Sequence, residues 1–316
     1  MLLVVNWEKD INTFLFVVLM DTTNKYVSCV IMGGLGNQLF QIFTVFGFAL
    51  KNGWTPIFPY SEKTHLGLQR NTYWKSFLKE LHCYTTNHEG CTITNQMLQT
   101  FPRMNEFSFR YKEITPLSSI AFLLYGYYQS YYYFKDVEQV IFEKIRLKQQ
   151  QDSVRSQYSG LLNQNGKKII CMHFRLGDYV NIQHCHPLMN ADYYNKALKR
   201  IFSKEDQSNC VVLYFCQNVD MQMVGILTTL LEADFLDLKF IHAANVNSDW
   251  EEMLLMSCCD HYTIGNSTFS WWGAYFNQNP DESKIICYPS KWFGPGLPHN
   301  TVDLFPPSWN KIECNI

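Results

Sequence analysis

The chain has 316 residues, room for two domains, and is 47% hydrophobic and only 17% charged, which excludes a disordered chain. A formal net charge of −2 with no basic domain gives nucleic-acid binding no support. The eleven cysteines are odd in number and contain no CxxC pair, so they read as free thiols of a reducing compartment rather than a disulfide framework.

Residues 1–25 read as an irregular extension. The apolar run Phe14 to Met20 is too short to span a bilayer, and Glu8, Lys9 and Asp10 interrupt anything longer. The expected location is cytoplasmic and soluble, with a degenerate, Golgi-type membrane anchor as the alternative.

A β-branched and apolar run, residues 25–32, predicts a buried strand that ends at the glycines of "IMGGLGNQLFQIF". Apolar residues then recur at helical spacing over 37–51, and "TPIFPY" (55–60) predicts a second strand. The order β-turn-α-β opens a Rossmann-like unit. Residues 61–125 show no regular pattern. "GYYQSYYYF" (126–134) is an aromatic cluster, read first as packing and second as a platform for a sugar ring. A helix is predicted over 136–147, with Asp136 as its N-cap.

The second half alternates strands (167–174, 210–215, 238–243, 261–265, 284–289) with helices (190–202, 219–231, 248–259 and one opening at 268). Asn190, and Ser248 or Asp249, are candidate caps. This alternation predicts a parallel, doubly wound sheet. The fold class is therefore α/β, with a linker in the turn-rich "LNQNGKK" (162–168) dividing domains 26–165 and 166–316. Ligands of such folds lie at the carboxyl ends of strands, and with two units in the cleft between them.

Three segments carry chemistry. In "CMHFRLGDYV", alternation puts Cys171, His173 and Arg175 on one face, with His173 and Arg175 at the strand's carboxyl end. The planar donor fork of Arg175 suits a phosphate, whereas an ion pair with Asp178 would merely staple a turn. In "IGNSTFSWWGAYF", Asn266, Ser267, Thr268 and Ser270 cluster at a helix N-terminus, whose free N–H groups and dipole make an anion site. In "WEEMLLMSCC", Glu251 and Glu252 occupy a first turn, either offsetting the dipole or accepting the N–H bonds of a guanine. The opening glycines are not a P-loop and match GxGxxG only in part, at Gly34 and Gly36. "IQHCHP" (182–187) groups His184, Cys185 and His186 without a second ligand pair at zinc-like spacing, so it reads as a surface loop and no metal site is expected.

"GGLGNQLFQ", "GYYQSYYYF", "HFRLGDYV", "MSCCDHYTIGNSTFSWWGAYF" and "PSKWF", in this order, resemble glycosyltransferase family 11, the α-1,2-fucosyltransferases that use GDP-fucose. The resemblance implies a GT-B architecture, two Rossmann-like domains facing a cleft, and metal-independent, inverting transfer to a galactose-containing glycan. It implies that Arg175 holds the donor pyrophosphate, that His173 lines the nucleotide pocket, and that Asn266, Ser267, Thr268, Phe269 and Ser270 cradle phosphate. Glu252 stands where the family usually has Asp and would read the guanine N1–H and amino group. Gly34, Gly36, Asn37 and Gln38 would face fucose and acceptor, with Asn37 close to the chemistry. Asp178 is the candidate general base, unless it orients Arg175. The family's second arginine is Leu176 here, which removes a positive charge expected near the pyrophosphate. The family's F-S-D-D is "FCQNVD", with Asp220 as a substitute. Two alternatives stand beside this reading: a non-catalytic nucleotide-sugar or glycan-binding protein, and a transferase of another GDP-sugar such as GDP-mannose.

Overall fold

A computed structural model describes residues 24–315, so the expectations for the extension up to residue 23 lie outside the described residues. The described chain forms two compact units that divide between Ile145 and Arg146. The boundary expected at 162–168 is therefore some twenty residues too late.

In the first unit, strand β1 (Tyr26–Cys29) runs into the glycine turn. Gly33 takes φ +79°, and Gly34 caps helix α1 (Leu35–Asn52) with extended backbone; Gly53, at φ +68°, ends it in the left-handed conformation. The helix starts two residues earlier than its apolar pattern. It is buried over nearly its whole surface, because Phe43, Phe46 and Phe48 all meet other rings, including Phe134, Phe58 and Phe122. A Cβ on Gly47 would stand 2.1 Å from the Tyr133 carbonyl, so glycine there lets the helix press against the 131–134 backbone. Strand β2 (Thr55–Pro56), helix α2 (Asn95–Thr100), strands β3 (Arg103–Asn105) and β4 (Ala121–Tyr125), and helix α3 (Glu138–Lys144) complete the unit.

The sheet is parallel throughout, in the order β2-β1-β4-β3. One of its two inner strands, β4, falls in the stretch where the sequence showed no pattern. "AFLLY" is largely buried on both faces and so has no alternation to read. Asp136 does not cap α3; its carboxylate pairs with Lys51 at 2.7 Å.

The second unit opens with helices α4 (Leu147–Gln157) and α5 (Ser159–Leu162). Arg146, at φ 51°, breaks the helix predicted over 136–147 and starts α4. Gln151 explains why α4 belongs here: its buried Nε2 donates to Ser257 Oγ (2.8 Å) and to the Phe276 carbonyl (2.9 Å). Then β5 (Lys168–His173), α6 (Ala191–Phe202), β6 (Cys210–Phe215), α7 (Met221–Asp234), β7 (Lys239–His242), α8 (Asp249–Met256), β8 (His261–Thr263), α9 (Thr268–Tyr275), β9 (Ile286–Pro289) and β10 (Asn310–Ile312) alternate as predicted, except that β10 was unforeseen. Asn190 caps α6, its Oδ1 accepting from Tyr193 N at 3.1 Å, and Ser248 rather than Asp249 caps α8.

All six strands are parallel, in the order β10-β9-β8-β5-β6-β7. Each unit is thus a Rossmann-type α/β layer. In the second, Trp271 and Trp272 anchor α9 in the interior, with Trp271 Nε1 bonded to the Leu304 carbonyl (3.0 Å). A Cβ on Gly273 would lie 2.8 Å from Met256 Cβ, so α9 sits hard against α8.

Candidate functional site

The candidate side chains of the second unit lie at or just beyond the carboxyl ends of β5 to β8. β5 delivers His173 at its last position and Arg175 two residues on, as alternation predicts. His173 is buried, its ring packs at 5.9 Å from Phe269, and its Nδ1 has no partner. Burial, and then the Arg175 cation, push its pKa down to about 3, so it is a neutral imidazole. Arg175 Nη2 lies 2.6 Å from Asp178 Oδ1. Of the two roles open to Asp178, the geometry therefore favours orienting Arg175 over acting as a base.

Gly177, at φ +43°, makes the turn between them, and its N–H donates to both Asp220 oxygens (3.0 and 2.9 Å). Asp220 thus fastens the turn rather than replacing a donor-binding residue. Leu176 is buried in the apolar core beside Phe174 and Met189. Position 176 therefore faces the core in this chain.

The second anion element is the start of α9. Ser267 caps it through Phe269 N (3.3 Å). Gly265 brings this turn close to β5: a Cβ there would lie 3.1 Å from the His173 carbonyl and 3.4 Å from Arg175 Cβ. The hydroxyls are less available than expected. Ser270 is buried and bonds the Gly265 and Ser267 carbonyls (3.4 and 3.3 Å). Asn266 is buried too; its Nδ2 holds the Pro187 and Trp292 carbonyls (3.0 and 3.2 Å) and so ties loops together, while its Oδ1 has no hydrogen-bond partner among the described residues. Thr268 and Phe269 remain half-exposed.

At the start of α8 the two glutamates separate in role. Glu251 Oε2 accepts from Tyr158 Oη (3.2 Å) and Ser248 Oγ (3.0 Å), closing the helix cap. Among the described residues the half-buried Glu252 carboxylate makes no hydrogen bond or ion pair. Burial, and then Asp249, raise its pKa to about 7. A carboxylate left partly desolvated and unpaired is an unmet acceptor. Sequence reasoning missed its neighbours: Cys216, just beyond β6, feels the Glu252 charge, and its Sγ lies 3.8 Å from His242 Nε2 at the end of β7. His242 stacks on Tyr214 at 5.1 Å. Their place at strand ends was the only signal.

In the first unit, Gly34 is exposed, Gly36 is buried in the first turn of α1, and Asn37 is half-buried, its Oδ1 accepting from Gln129 Nε2 at 3.0 Å. Gln38 is buried and its Nε2 bonds the Gly33 and Asn71 carbonyls (both 2.9 Å), so it braces the turn and does not face a ligand. In the aromatic cluster Tyr128, Tyr131, Tyr133 and Phe134 are buried, as the packing reading expects. Among the described residues no three His, Cys, Asp or Glu side chains group as metal ligands, and no helix is long and apolar enough to cross a membrane.

Each described unit is a Rossmann-type α/β layer, and the second sets an Arg, a helix N-terminus and a carboxylate at its strand ends, the chemistry that suits an anionic group. The profile of glycosyl transferase family 11 matches residues 2–312. The chain belongs to glycosyl transferase family 11 and is a glycosyltransferase.

Among relatives, the O-antigen biosynthesis glycosyltransferase WbnK of Escherichia coli is 35% identical over 141 residues, 40% of this chain and 42% of that protein. An Escherichia coli α-1,2-colitosyltransferase is 28% identical over 306 residues, 89% of this chain and 97% of that protein. Among solved structures, Arabidopsis thaliana FUT1 in complex with GDP aligns at 12% identity over 87% of this chain and 77% of that one, with a TM-score of 0.46.

Proposed function

We propose that the protein transfers L-fucose from GDP-fucose to a galactoside hydroxyl of a glycan in α-1,2 linkage, with inversion and without a metal. The observation that carries this reading is the unpaired Glu252 carboxylate. Two acceptor oxygens suit the adjacent N1–H and amino donors of guanine, a pair that adenine lacks. Arg175 and the start of α9 then take the pyrophosphate, and His173 lines the pocket beside Phe269.

In the reaction the acceptor oxygen bonds to fucose C1 while the bond from C1 to the β-phosphate oxygen breaks. The acceptor proton leaves to a base, and negative charge gathers on the departing GDP. Arg175, aimed by Asp178, and the N-terminal dipole of α9 meet that charge, which is the work a metal does elsewhere.

The test is a screen of GDP-fucose against a panel of galactosides, with linkage analysis of the product and a chelator control. Formation of an α-1,2-fucosylated galactoside that survives chelation supports the reading. GDP binding without turnover on any acceptor would point to a non-catalytic sugar-nucleotide-binding protein. A second reading has one specific observation in its favour. The relative that aligns along nearly its whole length is named for colitose rather than fucose. Competition among GDP-fucose, GDP-colitose and GDP-mannose separates the donors.

A further inference from the structure

Arg175 is held by more than Asp178. Its guanidinium carbon lies 4.7 Å from the centroid of the Tyr179 ring. The His186 imidazole stacks on the same phenol, with centroids 4.5 Å apart and planes at 21°. Phe293 packs against His186 at 5.5 Å. The Tyr179 hydroxyl donates to the Asn266 carbonyl (3.3 Å), one residue before the Ser267 cap of α9.

The loop that carries His186 is itself fastened. Asn266 Nδ2 bonds the Pro187 carbonyl next to it. Gly294 N and Gly296 N donate to the Cys185 and His184 carbonyls (2.8 and 2.7 Å). A Cβ on Gly294 would stand 2.4 Å from the His184 carbonyl oxygen, so this approach needs glycine. The "IQHCHP" segment, read from sequence as a plain surface loop, thus closes a ring of contacts that runs from Arg175 through Tyr179 to Asn266 and back to Pro187.

We propose that His186, acting through the face of Tyr179, is a positioning residue that keeps Arg175 and the start of α9 aimed at one phosphate group. This rests on the reading of Arg175 as the pyrophosphate arm. The His186 ring serves by its face: its Nδ1 is buried without a hydrogen-bond partner. Burial lowers its pKa, with Arg175 and His299 acting in the same direction and Asp178 against them. A neutral ring adds no second cation beside the guanidinium. Without it, Tyr179 loses the surface that fixes its plane, and Arg175 loses the ring beneath it.

The test compares steady-state rates on GDP-fucose and an accepted galactoside for His186→Ala, His186→Gln, His186→Phe and Arg175→Ala, with GDP binding and thermal melting of each. A misplaced charge donor costs about 10- to 100-fold in rate. His186→Ala and His186→Gln should lose kcat by that factor with donor KM nearly unchanged, and His186→Phe should restore it, because the ring face is what acts. The proposal is overturned if both ringless variants keep the wild-type kcat, or if His186→Phe is as slow as they are, which would assign the role to a ring nitrogen. Full turnover by Arg175→Ala would overturn the pyrophosphate reading and this proposal with it. Loss in Arg175→Ala alone would overturn only the role of His186.

Discussion

Replacing Glu252 by Gln tests the nucleotide assignment most directly. The carboxyl has a pKa of about 7 against an ordinary 4.5, raised first by burial and then by Asp249. Only the ionised form accepts from both guanine donors. At pH 8 about nine-tenths of the sites are ionised, and at pH 6 about one-tenth, from a single titration centred near 7. The dissociation constant for GDP should therefore rise about tenfold per unit as pH falls below 7.

Hydrogen bonds to a charged group contribute about 1.5–3 kcal/mol each, so at pH 8 Glu252→Gln should weaken GDP by roughly 100-fold. Calorimetric titration of both proteins from pH 5.5 to 8.5 measures this. The phosphate of GDP also titrates in that range, so the informative quantity is the wild-type slope minus the variant slope. Identical slopes in the two proteins would refute the reasoning. Stability should move the other way. A raised carboxyl pKa means the folded state holds its proton more tightly, so wild-type stability falls as pH climbs from 4.5 through 7. The fall is at most about 3 kcal/mol, and the Gln variant escapes it. Chemical denaturation at pH 4 and pH 8 should thus find the variant more stable only at pH 8.

Three further outcomes follow from close approaches in the fold. Gly47→Ala drives a methyl into the Tyr133 carbonyl, and urea denaturation should show a loss of about 2–3 kcal/mol or more. Gly265→Ala crowds the His173 carbonyl and Arg175 Cβ; kinetics should show kcat down about tenfold, with the melting temperature little changed. Gln151→Leu removes two buried hydrogen bonds, to Ser257 Oγ and the Phe276 carbonyl, a cost of about 1–3 kcal/mol in the second unit, read by urea denaturation.

The second unit was legible because its strands and helices differ in period and its caps are explicit. Asn190 and Ser248 sit where a helix must satisfy its first N–H groups, and both do so. His173 and Arg175 could be placed from strand alternation alone, and the start of α9 from its cluster of small polar residues. These are local properties, fixed by dihedral angles a few residues apart.

What escaped the sequence depends on partners far along the chain. β4 carries no alternation because its surroundings bury both of its faces. Only packing against Ser257 and Phe276 assigns α4 to the second unit. Glu251 and Glu252 are the same residue type in the same helical turn. Tyr158, 93 positions away from Glu251, engages one and leaves the other without a partner. Asn266, Ser270 and Gln38 looked like ligand donors because side-chain chemistry is visible in sequence, while the direction a side chain points is not. Distant carbonyls hold Asn266 Nδ2 and Gln38 Nε2, and the local Gly265 and Ser267 carbonyls hold the Ser270 hydroxyl, since a buried backbone carbonyl needs a donor and these side chains supply one.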